Sequence, residues 1–410
     1  MKNQRLDTPY IKIENEFKQT SWDDAYKIIV EKIKNTAPAK IAGITGDLTN
    51  METLFIAKEF FNKTIKSDFL DSRPDNFYVN TNDRRNYIFN TSLNGLEESD
   101  LIILVGTNPR FEATMLNARI RKAYLKNKTK IISLGNVGDL TYPYEIVNNT
   151  TKEIEKIFDN SSNLSNEIKN SKNPVIIIGQ SVLRSKSAKY IFEGFKKYLI
   201  ENDKISDEWM PLNIISNHAS TVGSYDLDII DKNIGNNKTL ELIRNNLFDV
   251  LFLIGQDELN IEKKSKFIIY IGSHGDKGAE IADVVLPGSA YTEQEGYFTN
   301  LEGKIQKAYK ASYPPGSAKE DWLIFNELSA LIKRKTIFKD KEELVDAMLN
   351  YLKINKKNNY KEVIKSEYVE EKIILDPIDY YYSNVISRSS KTMYDCRSEK
   401  INSKKTGTEG

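Results

Sequence analysis

Asp100-Leu-Ile-Ile-Leu-Val-Gly-Thr-Asn-Pro-Arg110 is the stretch on which the reading of the fold turns. Five apolar residues run without polar alternation, as a strand covered on both faces requires, and Gly106 then lets the chain turn sharply toward a helix. The following segment, Glu112 to Lys126, has helical period: Leu116, Ile120, Ala123 and Tyr124 share one face, while Arg121 and Lys122 point away from it. The same apolar run ending in glycine recurs at Ile41–Gly46, Ile131–Gly135, Val175–Gly179, Val250–Gly255 and Phe267–Gly272. Strand, glycine turn and helix alternate along most of the chain, which is the pattern of right-handed βαβ units and a parallel sheet. The fold class is α/β.

The 410 residues suffice for two or three packing units. The Asn/Ser-rich stretch Asp159–Glu167 carries no evident apolar period and is expected to separate two lobes. The expected organisation is a lead-in over 1–20, a first α/β lobe over 21–158, a second over 159–340, a helical segment and linker over 341–377, and an extended C-terminal tail over 378–410. In that tail Tyr380–Ile386 is expected to be extended and aromatic, and Lys404–Gly410 disordered.

Composition narrows the function. Lys+Arg 59 against Asp+Glu 58 leaves a formal charge of +1, which offers no general attraction to a phosphate backbone. One cysteine, Cys396, and two histidines, His218 and His274, cannot assemble a disulfide framework, a Cys/His metal centre or an iron–sulfur cluster within the chain. The longest apolar runs fall far short of the ~20 residues that a membrane-crossing helix needs. The N-terminus shows neither an apolar signal segment nor the acid-poor character of a transit peptide.

The residues with chemical potential each have a plainer reading. Gly272-Ser-His-Gly275-Asp-Lys-Gly278 is spaced GxxGxxG rather than GxGxxG, and Gly235-Asn-Asn-Lys238-Thr239 lacks P-loop spacing, so neither is read as a nucleotide loop. His274 lies in a post-strand loop, where an α/β enzyme places catalytic groups, but no partner completes a constellation; His218 is read the same way. Glu293 and Glu295 are read as loop hydrogen-bonders rather than an acid/base pair, Cys396 as a free structural thiol, and the basic segment Arg119–Lys128 as a solvated or partner-facing surface.

Several longer blocks are specific. Arg5-Leu-Asp-Thr-Pro-Tyr10 with Ser21-Trp-Asp-Asp-Ala25, Asp100 to Ala113 with Leu116–Arg121, and Asp139-Leu-Thr-Tyr142 form one set. His274–Ala279, Ala282–Gly288, Ala290-Tyr-Thr-Glu293, Gly296, Asn300–Gly303, Pro314–Trp322 and Tyr381–Met393 form another. Together they resemble the C-terminal, molybdopterin-oxidoreductase-like region of the largest peripheral-arm subunit of respiratory complex I (NADH:ubiquinone oxidoreductase), the G or 75 kDa type. The likeness runs from Arg5 to Cys396.

That resemblance implies two Rossmann-like lobes with mainly parallel sheets. It also implies a non-catalytic scaffold that anchors cluster-bearing chains and so supports electron transfer from NADH to ubiquinone. No catalytic, cofactor-binding or metal-ligating residue is expected here, and no cofactor in this chain. The family's cysteine-rich N-terminal region has no counterpart in this sequence, so its iron–sulfur clusters are expected in a separate partner chain. With the start at Met1 and the Asn/Lys/Ile bias, this leads to the expectation of a split, organelle-encoded subunit. Other peripheral-arm subunits are the further expected partners, on the matrix side of the mitochondrial inner membrane or, alternatively, the cytoplasmic face of a bacterial plasma membrane. The rival readings are an active molybdopterin-dependent oxidoreductase and a free-standing nucleotide-binding regulator.

Overall fold

The computed structural model describes residues 5–73, 77–230, 238–264, 266–354, 359–376 and 378–402. Gly235–Asn237 of the P-loop comparison and the stretch 404–410 lie outside the described residues. The strands, in chain order, are β1 (Tyr10–Ile13), β2 (Glu16–Gln19), β3 (Ile41–Thr45), β4 (Leu70–Asp71), β5 (Leu101–Val105), β6 (Lys130–Leu134), β7 (Glu145–Val147), β8 (Pro174–Ile178), β9 (Leu212–Ile214), β10 (Val250–Ile254), β11 (Phe267–Gly272), β12 (Val284–Pro287), β13 (Gly296–Thr299) and β14 (Ile305–Ala308). All six apolar runs singled out in the sequence are strands.

They form two main sheets. One has the order β2-β1-β12-β11-β10-β3-β4 and the other β7-β6-β5-β8-β9, with β13 and β14 as a separate hairpin. The five-stranded sheet is parallel throughout. The seven-stranded one is parallel from β12 to β4 and carries the antiparallel β1–β2 hairpin on its edge. The expected lead-in over 1–20 is therefore part of a sheet.

Continuous apolarity has the predicted cause. Val250, Phe252 and Ile254 enter the core on one face of the larger sheet, and Leu251 and Leu253 the core on the other. Leu101, Ile103 and Val105 are likewise divided from Ile102 and Leu104 across the smaller sheet.

The expected boundary at 159 is corrected. The chain leaves the larger sheet after β4, builds the whole smaller sheet, and returns at β10. Residue 159 falls inside that insertion, for β5 before it pairs with β8 after it, from Leu101↔Pro174 to Val105↔Ile178. The Asn/Ser-rich stretch is a crossover: Ser162 caps helix Asn163–Asn170, whose Leu164 and Ile168 are buried one turn apart. Helix Lys341–Ile354 is no separate segment either, because Leu344 and Met348 are buried in the core beside the larger sheet.

The tail is also corrected. Instead of running extended, it forms short helices at Tyr380–Tyr382, Val385–Arg388 and Lys391–Asn402. The cause is local: Ser387 N donates to Asn384 Oδ1 and Asn384 N to Ser387 Oγ, each at 3.0 Å, a reciprocal cap that starts the middle helix.

Strand order reverses direction between β3 and β10 in one sheet and between β5 and β8 in the other. Such switch points are where open α/β sheets leave a crevice at the strands' carboxyl ends. Glycines meet at both. A Cβ on Gly179 would lie 2.3 Å from the Gly106 carbonyl oxygen, and Gly106 itself has φ +57°. The glycines read as turn formers thus also permit backbones to touch.

Candidate functional site: the crevice at the carboxyl ends of the strands

The carboxyl ends of the two sheets face each other. Ser220, beyond β9, donates from its backbone N to Asp47 O at 3.1 Å and from its hydroxyl to Gly46 O at 3.1 Å, joining the smaller sheet to the turn after β3. His218 reaches the same turn, with Nδ1 3.1 Å from Asp47 Oδ2. At the switch point of the larger sheet, Gln256 Nε2 donates to Thr45 O at 3.2 Å, while its Oε1 accepts from Glu258 N and Leu259 N at 2.6 and 3.0 Å. The gap between β3 and β10 is thereby filled by a side chain.

The loops after β10 and β11 bring carboxyl groups together. Asp257 is 4% exposed and accepts a 2.9 Å hydrogen bond from Tyr270 at Oδ2, but its Oδ1 has no partner. Burial pushes this carboxyl up to about 7 against the Tyr270 hydrogen bond, with Asp276 adding to the rise and Arg388 opposing it. Burial also raises the neighbouring Glu258.

Arg388 answers these charges from the tail. Its Nε donates to Asp276 Oδ2 at 2.5 Å, its Nη2 lies 2.6 Å from Glu258 Oε1, and its Nη1 donates to Tyr382 O at 3.3 Å. The chain reaches this point by crossing the carboxyl ends of the smaller sheet. Ile373 N donates to Asn149 O at 2.8 Å, Asp376 N to Ser181 Oγ at 3.0 Å, and Tyr380 OH to Phe111 O at 2.8 Å. The C-terminal segment therefore straps both halves of the crevice.

The residues singled out in the sequence are dispersed around this strap. His274 is 5% exposed with Nδ1 2.9 Å from Ser273 Oγ, and burial, helped by Arg5, pushes it down to about 4, so it is neutral at pH 7. Glu293 grips Arg5 in a nearly buried ion pair and accepts from Ala290 N, whereas the more exposed Glu295 pairs with Lys307. Those two glutamates have different partners. In the GxxGxxG loop, a Cβ on Gly272 would lie 2.3 Å from Tyr270 Oη and one on Gly278 2.4 Å from Gln256 O, so both glycines make room for protein atoms. Cys396 is exposed on helix Lys391–Asn402. In the basic segment, Arg119 and Lys122 both pair with Glu97.

Two blocks that carried the resemblance turn out to be partners. Asn108 caps the turn Pro109–Glu112, Arg110 lies 2.7 Å from Asp139 Oδ2, and Asn117 donates to Leu140 O while accepting from Tyr142 OH. Sequence reasoning missed the convergence of Asp257, Glu258, Asp276 and Arg388. No local pattern signals it, since Arg388 lies 112 positions beyond Asp276. Among the described residues no group of three or more His, Cys, Asp or Glu is arranged to hold a metal ion, and no helix is long and apolar enough to cross a membrane.

Residues 5–331 match the family described as molybdopterin oxidoreductase. The G-type NADH-quinone oxidoreductase subunit of Rickettsia bellii is 36% identical over 404 residues, covering 97% of this chain and 58% of that protein. The NADH-ubiquinone oxidoreductase 75 kDa subunit of Reclinomonas americana is 35% identical over 425 residues, covering 97% and 61%. The chain thus spans about three-fifths of the length of these relatives. Among solved structures, the formyltransferase/hydrolase complex of Methylorubrum extorquens aligns with TM-score 0.61 and 11% identity over 80% of this chain and 99% of that one. Acetylene hydratase from Pelobacter acetylenicus aligns with TM-score 0.56 and 13% identity over 98% and 71%. At such identities these two likenesses concern the fold alone.

Proposed function

The chain belongs to the molybdopterin oxidoreductase family, and from that membership and its NADH-quinone and NADH-ubiquinone oxidoreductase relatives we propose that it is a non-catalytic structural module of respiratory complex I. In this reading it anchors the cluster-bearing region of the peripheral arm, so that electrons from NADH pass toward ubiquinone along a relay whose spacing it keeps fixed. The clusters sit on a cysteine-rich partner polypeptide, and the assembly lies on the matrix side of the mitochondrial inner membrane.

The observation that carries this reading is the strap. An active family member needs an open crevice for a phosphate-bearing pterin. Here the corresponding place presents Asp257, Glu258 and Asp276, with Arg388 of the chain's own tail laid across the last two. Carboxylates repel phosphate, and the guanidinium is already engaged by the charges of Glu258 and Asp276. The residues at the crevice do not fit such a group. What remains is a body of two sheets whose central strands are buried on both faces, with loops to meet neighbours.

Depletion of the chain in cells that make it tests the proposal. A structural role gives loss of the assembled complex, with NADH oxidation falling in proportion. A complex of undiminished abundance that no longer oxidises NADH would contradict it.

A further inference from the structure

We propose that the carboxyl-end crevice of the larger sheet is a guanidinium-binding site, filled in cis by Arg388, and that this contact is a reversible latch for the segment 378–402. The inference stands on the geometry of the tail and does not require the crevice to be catalytically inert.

Three observations support a site rather than a chance surface pair. Two carboxylates of the crevice meet the Arg388 guanidinium, Asp276 Oδ2 accepting a hydrogen bond from Nε and Glu258 Oε1 lying 2.6 Å from Nη2 as an ion contact without a hydrogen bond, while Nη1 donates to Tyr382 O within the tail itself. The side chain is only 15% exposed, so the contact is largely shielded from water. Nearby, Asp257 is buried with Oδ1 unpartnered, a further carboxyl group within the electrostatic reach of the guanidinium. A planar fork with donors on separate edges suits two carboxylates set apart in this way better than an ammonium, a compact point charge.

The latch is reversible because little else holds the segment beyond it. The helices Tyr380–Tyr382, Val385–Arg388 and Lys391–Asn402 contain no buried side chain. Upstream, by contrast, Tyr360 and Ile373 are 3% and 2% exposed. Hydrophobic burial thus fixes the strap through about residue 376, whereas the stretch after it depends on polar contacts and one ring contact, Phe111 with Tyr380. The Arg397–Asp379 pair lies within the tail and does not attach it to the body.

Amide hydrogen exchange on the full chain tests this, comparing wild type with Arg388→Ala, each with and without ethylguanidinium or, at the same ionic strength, ethylammonium. In Arg388→Ala, amides of 385–402 should exchange at least about tenfold faster, the factor that about 1.4 kcal/mol of lost latch produces. Amides of β10 and β11 should keep their protection, which shows that the fold is intact. Ethylguanidinium should restore protection to the tail and ethylammonium should not. Unchanged tail exchange in the variant would overturn the latch; restoration by neither cation, or by both equally, would overturn the guanidinium site. Metal content, which bears on the structural role, is untouched by any of these outcomes.

Discussion

Gly46 and Gly255 meet backbone to backbone at the switch point of the larger sheet: a Cβ on Gly46 would stand 1.7 Å from the Gly255 carbonyl oxygen. No rotamer change relieves a clash with a carbonyl, so the strands themselves must part. Gly46→Ala should therefore cost at least about 3 kcal/mol, the upper part of the range for overpacking. Gly275→Ala is the control, since nothing lies within 4 Å of its Cβ position; it should stay within about 0.5 kcal/mol of wild type. Urea midpoints of the two variants check the pair.

Asp71 and Arg73 form an ion pair whose side chains are 0% and 1% exposed, with Arg73 Nη1 also donating to Phe77 O at 3.2 Å. Such a pair adds little over an apolar replacement of both, but removing one partner takes the bidentate counter-charge from the other in the interior. Arg73→Met should destabilise by about 3–5 kcal/mol, and Arg73→Met with Asp71→Leu by clearly less. Chemical denaturation of the single and double variants separates the two cases.

Ile373 is buried in the core of the smaller sheet, 2% exposed, although it lies far along the chain in the strap. Ile373→Ala should cost about 2–5 kcal/mol, as for other buried isoleucines. A loss below about 0.5 kcal/mol in thermal or urea unfolding would mean that the strap is not part of that core.

Much of this architecture is legible in the sequence, and the rest is hidden for identifiable reasons. The six strands announced by unbroken apolar runs are buried along almost their whole length, whereas β9 and β12, also buried throughout, are shorter and carry Asn213 and Pro287. β2 is exposed along its whole length and β7 nearly so, so neither offers such a run. Leu164 and Ile168 are two buried residues in a short helix, too few to stand out from their Asn/Ser surroundings. The tail helices bury no side chain and leave no apolar period to read. The misplaced boundary has a different origin: adjacency of β5 and β8 is a property of parallel crossovers that periodicity does not encode. At the crevice, Glu293 and His274 both sit against Arg5. Their partner Arg5, however, is bonded to a residue 288 positions away, a distance at which sequence spacing carries no signal.

Stability should depend on pH through groups around the crevice. Asp257 is raised to about 7 by burial, so between about 4 and 7 the folded state binds a proton that the unfolded state has released. Its stabilising contribution is present in acid and lost as pH rises through 7. His274, lowered to about 4, acts in the opposite sense, its contribution being lost as pH falls from 6.5 toward 4. Glu52, Glu112 and Asp321 are also raised to about 7, each chiefly by burial, so the carboxyls dominate this window. Relative to wild type, Asp257→Asn should gain on the order of 2–4 kcal/mol between pH 5 and pH 8. Urea titrations at the two values measure that difference, and an unchanged difference would mean that Asp257 is ionised in the fold at pH 5.

The most direct measurement of the central claim is the molybdenum, tungsten and pterin content of the native particle that contains this chain, set against the amount of the chain. A structural module whose crevice is strapped by Arg388 predicts far less than one metal or pterin per chain, whatever the supply of either during growth. One tightly held, pterin-bound metal per chain would contradict it and return the crevice to catalysis.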